Sequence, residues 1–379
     1  MRALALLAAV LVSCTTPPVV LPTPTPTREA GVLNVSVLLD LSGPRAPSGQ
    51  AQRNAMQLWI DEPSSAPVKL HVNFVDVAGS DTKLLLELRR ALVDGGADAL
   101  VIGVPMSVAD PTMSAIGLGA IPTLLTLPVA EPAAAPGGAF TFALAPSPEQ
   151  IAQAMASDLI ARGIVQPMVL ASDESRAAVN ERTAFVAALA RRAIAAPSAL
   201  DLRTPDAPQR VRAAAAFASS VVLTGASAPY GDVIRSIPVT IGAPRVYLSY
   251  LTETADVTNL REQSALVTWP GSRGIVSPPF GGTGFFQRFT DRYGAPSTIA
   301  ATAYDALGMI QQAASTAPGE TGAARLRQRL EATTFGGVVT RYTFTSTRHL
   351  GFGIADLTLL RWNAQTGRPL IAAGAAGAA

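Results

Sequence analysis

The strongest constraint on this chain is a rhythm in which short, almost wholly apolar runs alternate with longer stretches whose apolar residues recur at helical spacing. LNVSVLL (Leu33 to Leu39) is aliphatic and β-branched, and the segment after Ser42-Gly43-Pro44 places Ala51, Ala55, Leu58 and Trp59 on one helical stripe. VKLHVNFVD (Val68 to Asp76) then reads as a strand, and Thr82 to Asp94 as a helix with Leu84, Leu85, Leu88, Ala91 and Leu92 on one face. ADALVIG (Ala97 to Gly103), a helix opening near Asp110 and IPTLLTL (Ile121 to Leu127) repeat the pattern. Strands apolar on both faces, separated by amphipathic helices, belong in a parallel sheet covered on both sides.

The rhythm restarts after Ser147, which is placed to cap a helix over Pro148 to Arg162 with Pro148 in its first turn. Strand PMVLAS (Pro167 to Ser172), a long helix from Arg176 to Ala196, helix Pro208 to Ala218, strand SVVLTG (Ser220 to Gly225), a helix near Tyr230 to Ile237 and strand RVYLSY (Arg245 to Tyr250) make a second α/β unit. SALVTWP (Ser264 to Pro270) adds a strand and leads into GSRGIVSPPFGGTG. Helices are expected over Phe285 to Tyr293, Thr298 to Ser315 and Gly322 to Thr333, and strands over Val338 to Phe344 and Ile354 to Trp362. These last strands lie far from the second unit in sequence, so the chain is expected to cross between two lobes more than once. With 379 residues, 49% hydrophobic and 15% charged, there is apolar material for two cores.

The N-terminus is a different kind of sequence. Met1-Arg2 is a positive start, and Ala3 to Val12 is an apolar run of signal-peptide length, too short to span a bilayer. Leu11-Val12-Ser13-Cys14 resembles the bacterial lipobox, in which the cysteine becomes the lipidated first residue of the mature protein; an ordinary signal peptide with an incidental cysteine is the alternative. Prolines recur from Pro17 to Pro26 and favour polyproline II at about 3.1 Å per residue. A tether of this kind would hold a folded body up to roughly 40 Å from the lipid. Residues 1–13 therefore read as signal peptide, 14–30 as lipidated cysteine and tether, and 372–379 as a flexible tail.

The run LNVSVLLDLSGPRAPSGQAQRNAMQLWIDE resembles the opening of type I periplasmic binding proteins, the leucine/isoleucine/valine-binding group that serves ABC importers. GGADALVIGVPMSVADP, VLASDESRAAVNERTAFVAAL, VVLTGASAPYGDVI, ALVTWP, AYDALGMI and GFGIADLTLLRWN are similar to later landmarks of that family, in order, from Gly31 to about Gly367. The resemblance implies two doubly wound parallel-sheet lobes joined by a three-strand hinge, one of residues 31–146 plus 271–345 and the other of 147–270 plus 346–371. It implies a monomer that traps a small molecule between the lobes and delivers it to a permease in the membrane. An envelope lipoprotein that uses the same fold to bind or regulate a partner protein is the alternative.

Carried onto this sequence, the family's ligand positions fall on Ser48 in the first loop, Ser107 after the third strand, Thr126 with Ala130 after the fourth, Arg176, Ala226 or Ser227, and Leu251 with Thr252. Several pocket aromatics and the carboxylate that would meet an ammonium are thus expected to be missing. A free α-amino acid is disfavoured on that reading, because a buried ammonium without a counter-charge is costly. Arg176 is placed either to hold a carboxylate or phosphate with its planar fork or to sit on a solvated rim. Tyr250 and Trp269 end strands and are placed either to stack on a ligand or to pack in the core.

No basic run accompanies the formal net charge of +2, which argues against a nucleic-acid partner. No G-x-S-x-G elbow, G-x-G-x-x-G turn or G-x-x-x-x-G-K loop is present. His71 and His349 stand apart and the lone cysteine has no pair, so neither a metal site nor a cofactor is expected. Asp40 and Asp76 follow strands, where a hydrolase would place carboxylates, but loop capping explains them as well, and an enzyme is not expected.

Overall fold

The computed structural model of the protein describes residues 31–93, 96–225, 230–276, 284–317 and 322–372. The expectations attached to the signal peptide, Cys14, the tether, Ala226 and Ser227 lie outside these residues.

The first lobe is built on β1 (Val32–Leu39), β2 (Lys69–Asp76), β3 (Ala99–Gly103), β4 (Thr123–Leu125) and β5 (Thr141–Ala143), with α1 (Ala46–Asp61), α2 (Asp81–Val93) and α3 (Pro111–Gly119) between them. All pairings are parallel and the order is β2-β1-β3-β4-β5, so the chain winds outward from β1 in both directions. Val37, Leu38 and Leu39 are all buried, as a strand covered on both faces requires. At the sheet edge β2 instead alternates, with Lys69, His71 and Asn73 turned outward.

The second lobe carries β6 (Met168–Ser172), β7 (Leu200–Asp201), β8 (Ser220–Thr224), β9 (Arg245–Tyr247) and β10 (Val267–Ser272). Around them lie α4 (Pro148–Ala161), α5 (Arg176–Ala190), α6 (Ala207–Ala215), α7 (Tyr230–Arg235) and the short α8 (Thr254–Thr258). After α9 (Arg273–Val276), the helices α10 (Phe285–Tyr293), α11 (Thr298–Ser315) and α12 (Ala323–Ala332) return to the first lobe. There α11 lies along α1, and Arg288 and Arg292 pair with Glu62 and Asp61 at the end of α1. A small hairpin of β11 (Phe335–Gly336) and β12 (Arg341–Tyr342) follows, before β13 (Leu357–Asn363) and β14 (Arg368–Ile371) complete the second sheet. Its order is β14-β13-β10-β9-β8-β6-β7.

The fold is the expected α/β arrangement of largely parallel sheets, with local corrections. The second sheet ends in antiparallel strands, since β13 runs against both β10 and β14. α5 stops at Ala190 rather than Ala196, because Ala193 takes a left-handed φ of 57° and Pro197 disfavours helix just before it. The strand expected over Val338 to Phe344 shrinks to Arg341–Tyr342, because the Val338 and Val339 amides bond to the Asp305 carboxylate instead of to a neighbouring strand. Ala372 still pairs with Leu359, so order extends to the first residue of the expected tail.

The helix starts follow their caps. Ser147 and Gln150 form a reciprocal capping box at α4, while Ser175 and Ser297 accept from the third amides of α5 and α11. Gly49 in α1 is required by close approach, since a Cβ there would lie 1.9 Å from the Asp40 carbonyl oxygen. Beside it, Gln52 is fully buried; its Nε2 donates to the Gly103 carbonyl at 2.9 Å and its Oε1 accepts from the Thr126 hydroxyl at 2.5 Å. One side chain thus ties α1 to the carboxyl ends of β3 and β4, where the walls of a cleft begin.

Candidate functional site

The loops that follow β3 and β4 face those that follow β6 and β9, so the carboxyl ends of both sheets meet, which is where open α/β sheets take ligands. A narrow cleft lies between them. Pro105, Met106, Leu127 and Pro128 form its first-lobe wall, and Pro148, Ala177, Asn180, Glu181 and Leu251 the second-lobe wall. Among the described residues the lining side chains are apolar except for Asn180 and Glu181.

Glu181 projects from the middle of α5 and is 8% exposed. Its Oε1 accepts from the Ser249 hydroxyl at 2.7 Å and its Oε2 from the Gly225 amide at 3.2 Å. Burial pushes this carboxyl up to about 7, and Asp173 adds to the rise against the Ser249, Gly225 and Tyr250 donors. A second buried carboxyl, Glu253, lies just after the Leu251-Thr252 pair. Burial pushes it up to about 8, opposed by the nearby Ser297 and Ser48 hydroxyls. Glu181 thus gives the cleft a carboxyl that the sequence reading did not include, while Glu253 is buried beside Ser297 and Ser48 and does not line it.

Arg176, at the first turn of α5, reaches across to the first lobe. Its Nη1 donates to Asp110 Oδ2 at 2.7 Å, and its Nη2 pairs with Asp81 at the start of α2. Asp110 Oδ2 also accepts from the Ser107 amide at 2.7 Å, so the guanidinium closes onto a loop that is itself pinned. The fork that could have held a ligand anion is engaged by two aspartates of the opposite lobe. The side chain is 35% exposed, so the bridge is partly screened. Arg176→Ala is expected to weaken closure by about 1 kcal/mol, roughly five-fold in the ratio of closed to open chain. Arg176→Glu, which sets three carboxylates together, is expected to go further. Small-angle scattering should give a larger radius of gyration for both variants, and molar salt should move the wild type the same way; an unchanged radius would show that the bridge does not hold the lobes.

The pattern of the family described as "Periplasmic binding protein" matches residues 32–368. The chain belongs to the periplasmic binding protein family. Solved structures agree on its fold: an extracellular ligand-binding receptor from Rhodopseudomonas palustris HaA2 is 14% identical over 91% of this chain and all of that one, with a TM-score of 0.73. A leucine-binding protein from Thermotoga maritima is 14% identical, covering 90% of this chain and 98% of that one, at 0.71. A solute-binding protein from R. palustris, seen in complex with benzoate, is 15% identical, covering 90% and 95%, at 0.72. No curated protein matches the sequence.

For a periplasmic binding protein, the distribution of the expected ligand positions is uneven. Ser48, expected in the first loop, lies in the first turn of α1, whereas Ser107 lies in the loop after β3 with its Oγ accepting from the Ala109 amide at 3.3 Å. Thr126 is fully buried and turned to Gln52, so its successors Leu127 and Pro128 form the wall in its place; Ala130 does not line the cleft. Leu251 lines the cleft, whereas Thr252 turns its hydroxyl to the Ser249 carbonyl. Trp269 is 1% exposed and packs in the core of the second lobe among Val221, Val246 and Leu360. Tyr250 is likewise 1% exposed, and its hydroxyl has no hydrogen-bond partner. Asp40 is spent on Arg45 and the Gly79 amide, and Asp76 on Ser42 and the Leu41 and Ala78 amides, which closes the first loop. His349 is buried against the Gly138 and Thr141 carbonyls and stacked on Phe142. Among the described residues no group of three or more His, Cys, Asp or Glu side chains could hold a metal ion, and no helix is long and apolar enough to cross a membrane.

Proposed function

We propose that this periplasmic binding protein is the extracytoplasmic solute-binding lipoprotein of an ABC importer, anchored through Cys14, and that it captures a small organic solute by closing its two lobes. The observation that carries the reading is the cleft itself. Its walls come from both sheets at their carboxyl ends, a buried carboxylate faces into it, and Arg176 bridges its mouth. Similar folds hold small organic solutes: benzoate and 4-hydroxybenzoate in two R. palustris proteins. The lipobox-like residues and the proline-rich segment fit a body tethered beside a membrane permease and acting as a monomer.

The solute is not a free α-amino acid, although the reason differs from the one the sequence suggested. A carboxyl that could meet an ammonium is present in Glu181; a partner for the amino acid's own carboxylate is what the cleft lacks, since among the described residues no Lys, Arg or His lines it and Arg176 is engaged. Isothermal titration of the lipid-free chain with leucine, isoleucine and valine is expected to show no heat. Across a library of small organic solutes, thermal melting is expected to rise for at least one compound, with about 2.7 kcal/mol of added stability at one hundred times its Kd. A library with no such compound would contradict the reading.

A further inference from the structure

On the binding-protein reading above, we infer that the solute is a compact, mainly apolar molecule that presents a hydroxyl or amine hydrogen to Glu181 and carries no carboxylate or phosphate. The inference rests on what surrounds that one side chain. Glu181 lines the inter-lobe cleft and also a second narrow cavity beneath α4, whose walls include Ile151, Met155, Phe185 and Leu223. The carboxyl therefore stands where two apolar spaces meet. A solute filling the cleft would touch hydrocarbon over most of its surface and meet polar groups only at Asn180 and Glu181.

The field at that point excludes anions. Among the described residues no Lys, Arg or His lines either cavity. Asp173 lies close enough to Glu181 to oppose its ionisation. Two carboxylates in a water-poor site cannot both ionise, so an acidic solute would bind only with a proton taken up by it or by Glu181. A donor has the opposite prospect. Glu181 accepts from Ser249 on Oε1, from Gly225 on Oε2 and from the Tyr250 amide, which leaves the carboxylate lone-pair room for one more donor. Those bonds also fix the rotamer, so the acceptor is held in place before the solute arrives. A Glu181 that served only to tie α5 to the ends of β8 and β9 would be indifferent to the solute's end group, and that difference can be measured.

The test uses matched solutes of one skeleton: isoamyl alcohol, isoamylamine and isovalerate, and benzyl alcohol, benzylamine and benzoate, each titrated calorimetrically into the lipid-free chain. The alcohol or amine of at least one triplet is expected to bind at least about ten-fold more tightly than its carboxylate, and Glu181→Gln to weaken the amine by about ten-fold or more. The wild-type comparison stands without the variant if Glu181→Gln folds poorly. A carboxylate that binds as well as its alcohol and amine, or a folded Glu181→Gln chain with unchanged affinities, overturns the inference and leaves the binding-protein reading standing, because a solute has bound. Silence from all six compounds overturns the inference; if the solute library under Proposed function is silent too, the reading beneath it falls as well.

Discussion

Asp305→Ala lowers the stability of the chain by about 4 kcal/mol, with the urea midpoint falling and its slope unchanged. Asp305 is 1% exposed on α11, and its two oxygens accept from the Val338 amide at 2.7 Å, the Val339 amide at 2.9 Å and the Tyr342 hydroxyl at 3.2 Å. Alanine strands these three buried donors at about 1–3 kcal/mol each, less the relief of no longer burying a carboxyl. Gly337 is part of the same construction, because a Cβ there would lie 2.3 Å from Asp305 Oδ2. The segment so held is also the one that receives the Ser272 hydroxyl on the Val339 carbonyl, where the chain leaves β10 for the first lobe. Asp305→Asn keeps one acceptor and is expected to cost less, about 1–2 kcal/mol. A loss below about 1 kcal/mol for the alanine variant would show that water replaces the carboxylate and that the hinge segment is held by other contacts.

Stability is expected to fall as pH rises from 5 to 8.5, by about 3 kcal/mol or more. Burial raises Glu181 to about 7, Asp305 to about 7 and Glu253 to about 8, while in the unfolded chain all three ionise near the ordinary carboxyl range. Between those limits the folded chain binds more protons than the unfolded one. Their favourable contribution is then complete below the unfolded pKa, near 4, and is lost as pH rises through 7 to 8. Each carboxyl contributes a slope of at most about 1.4 kcal/mol per pH unit. Asp76 acts the other way: its slight burial is outweighed by the Ser42 hydroxyl and the Ala78 and Leu41 amides, which hold it below the usual range, so strong acid removes its contribution. The maximum therefore falls near pH 5. Urea midpoints taken across this range check the sign, and Glu253→Gln should flatten the alkaline limb. A midpoint that climbs between pH 6 and 8 would mean that these carboxyls are ionised and paired in the folded chain.

The elements most legible in the sequence are those whose signals are local. Helices α10 and α11 begin and end where their spacing places them, and the Ser147-Pro148-Gln150 start of α4 is written in three residues. The parallel sheets follow from apolar runs that need no partner to be recognised. The site is less legible because its polar groups act over long sequence distances. Glu181 sits between Asn180 and Arg182, where a helix ordinarily faces water, and nothing local marks that it will meet Ser249 and Gly225. Arg176 could be read as a ligand fork or a rim charge, since the choice depends on Asp81 and Asp110, which reach it only once the lobes face each other. Thr126 stands where a ligand contact was expected and turns away because Gln52, from a different helix, takes its hydroxyl. Short strands such as β5, β7 and β14 have too few residues to show a period, and their neighbours in the sheet define them.

The central claim is that a small solute draws the two lobes together. Because the chain has a single natural cysteine, Arg89→Cys on α2 and Gln209→Cys on α6 can be spin-labelled cleanly in a Cys14→Ser background, one probe on each lobe. Electron–electron distance distributions, measured without solute and with each saturating compound of the matched triplets, should collapse to the shorter population with an alcohol or amine and stay broad with its carboxylate. Distributions that remain superimposable with every solute would contradict the account.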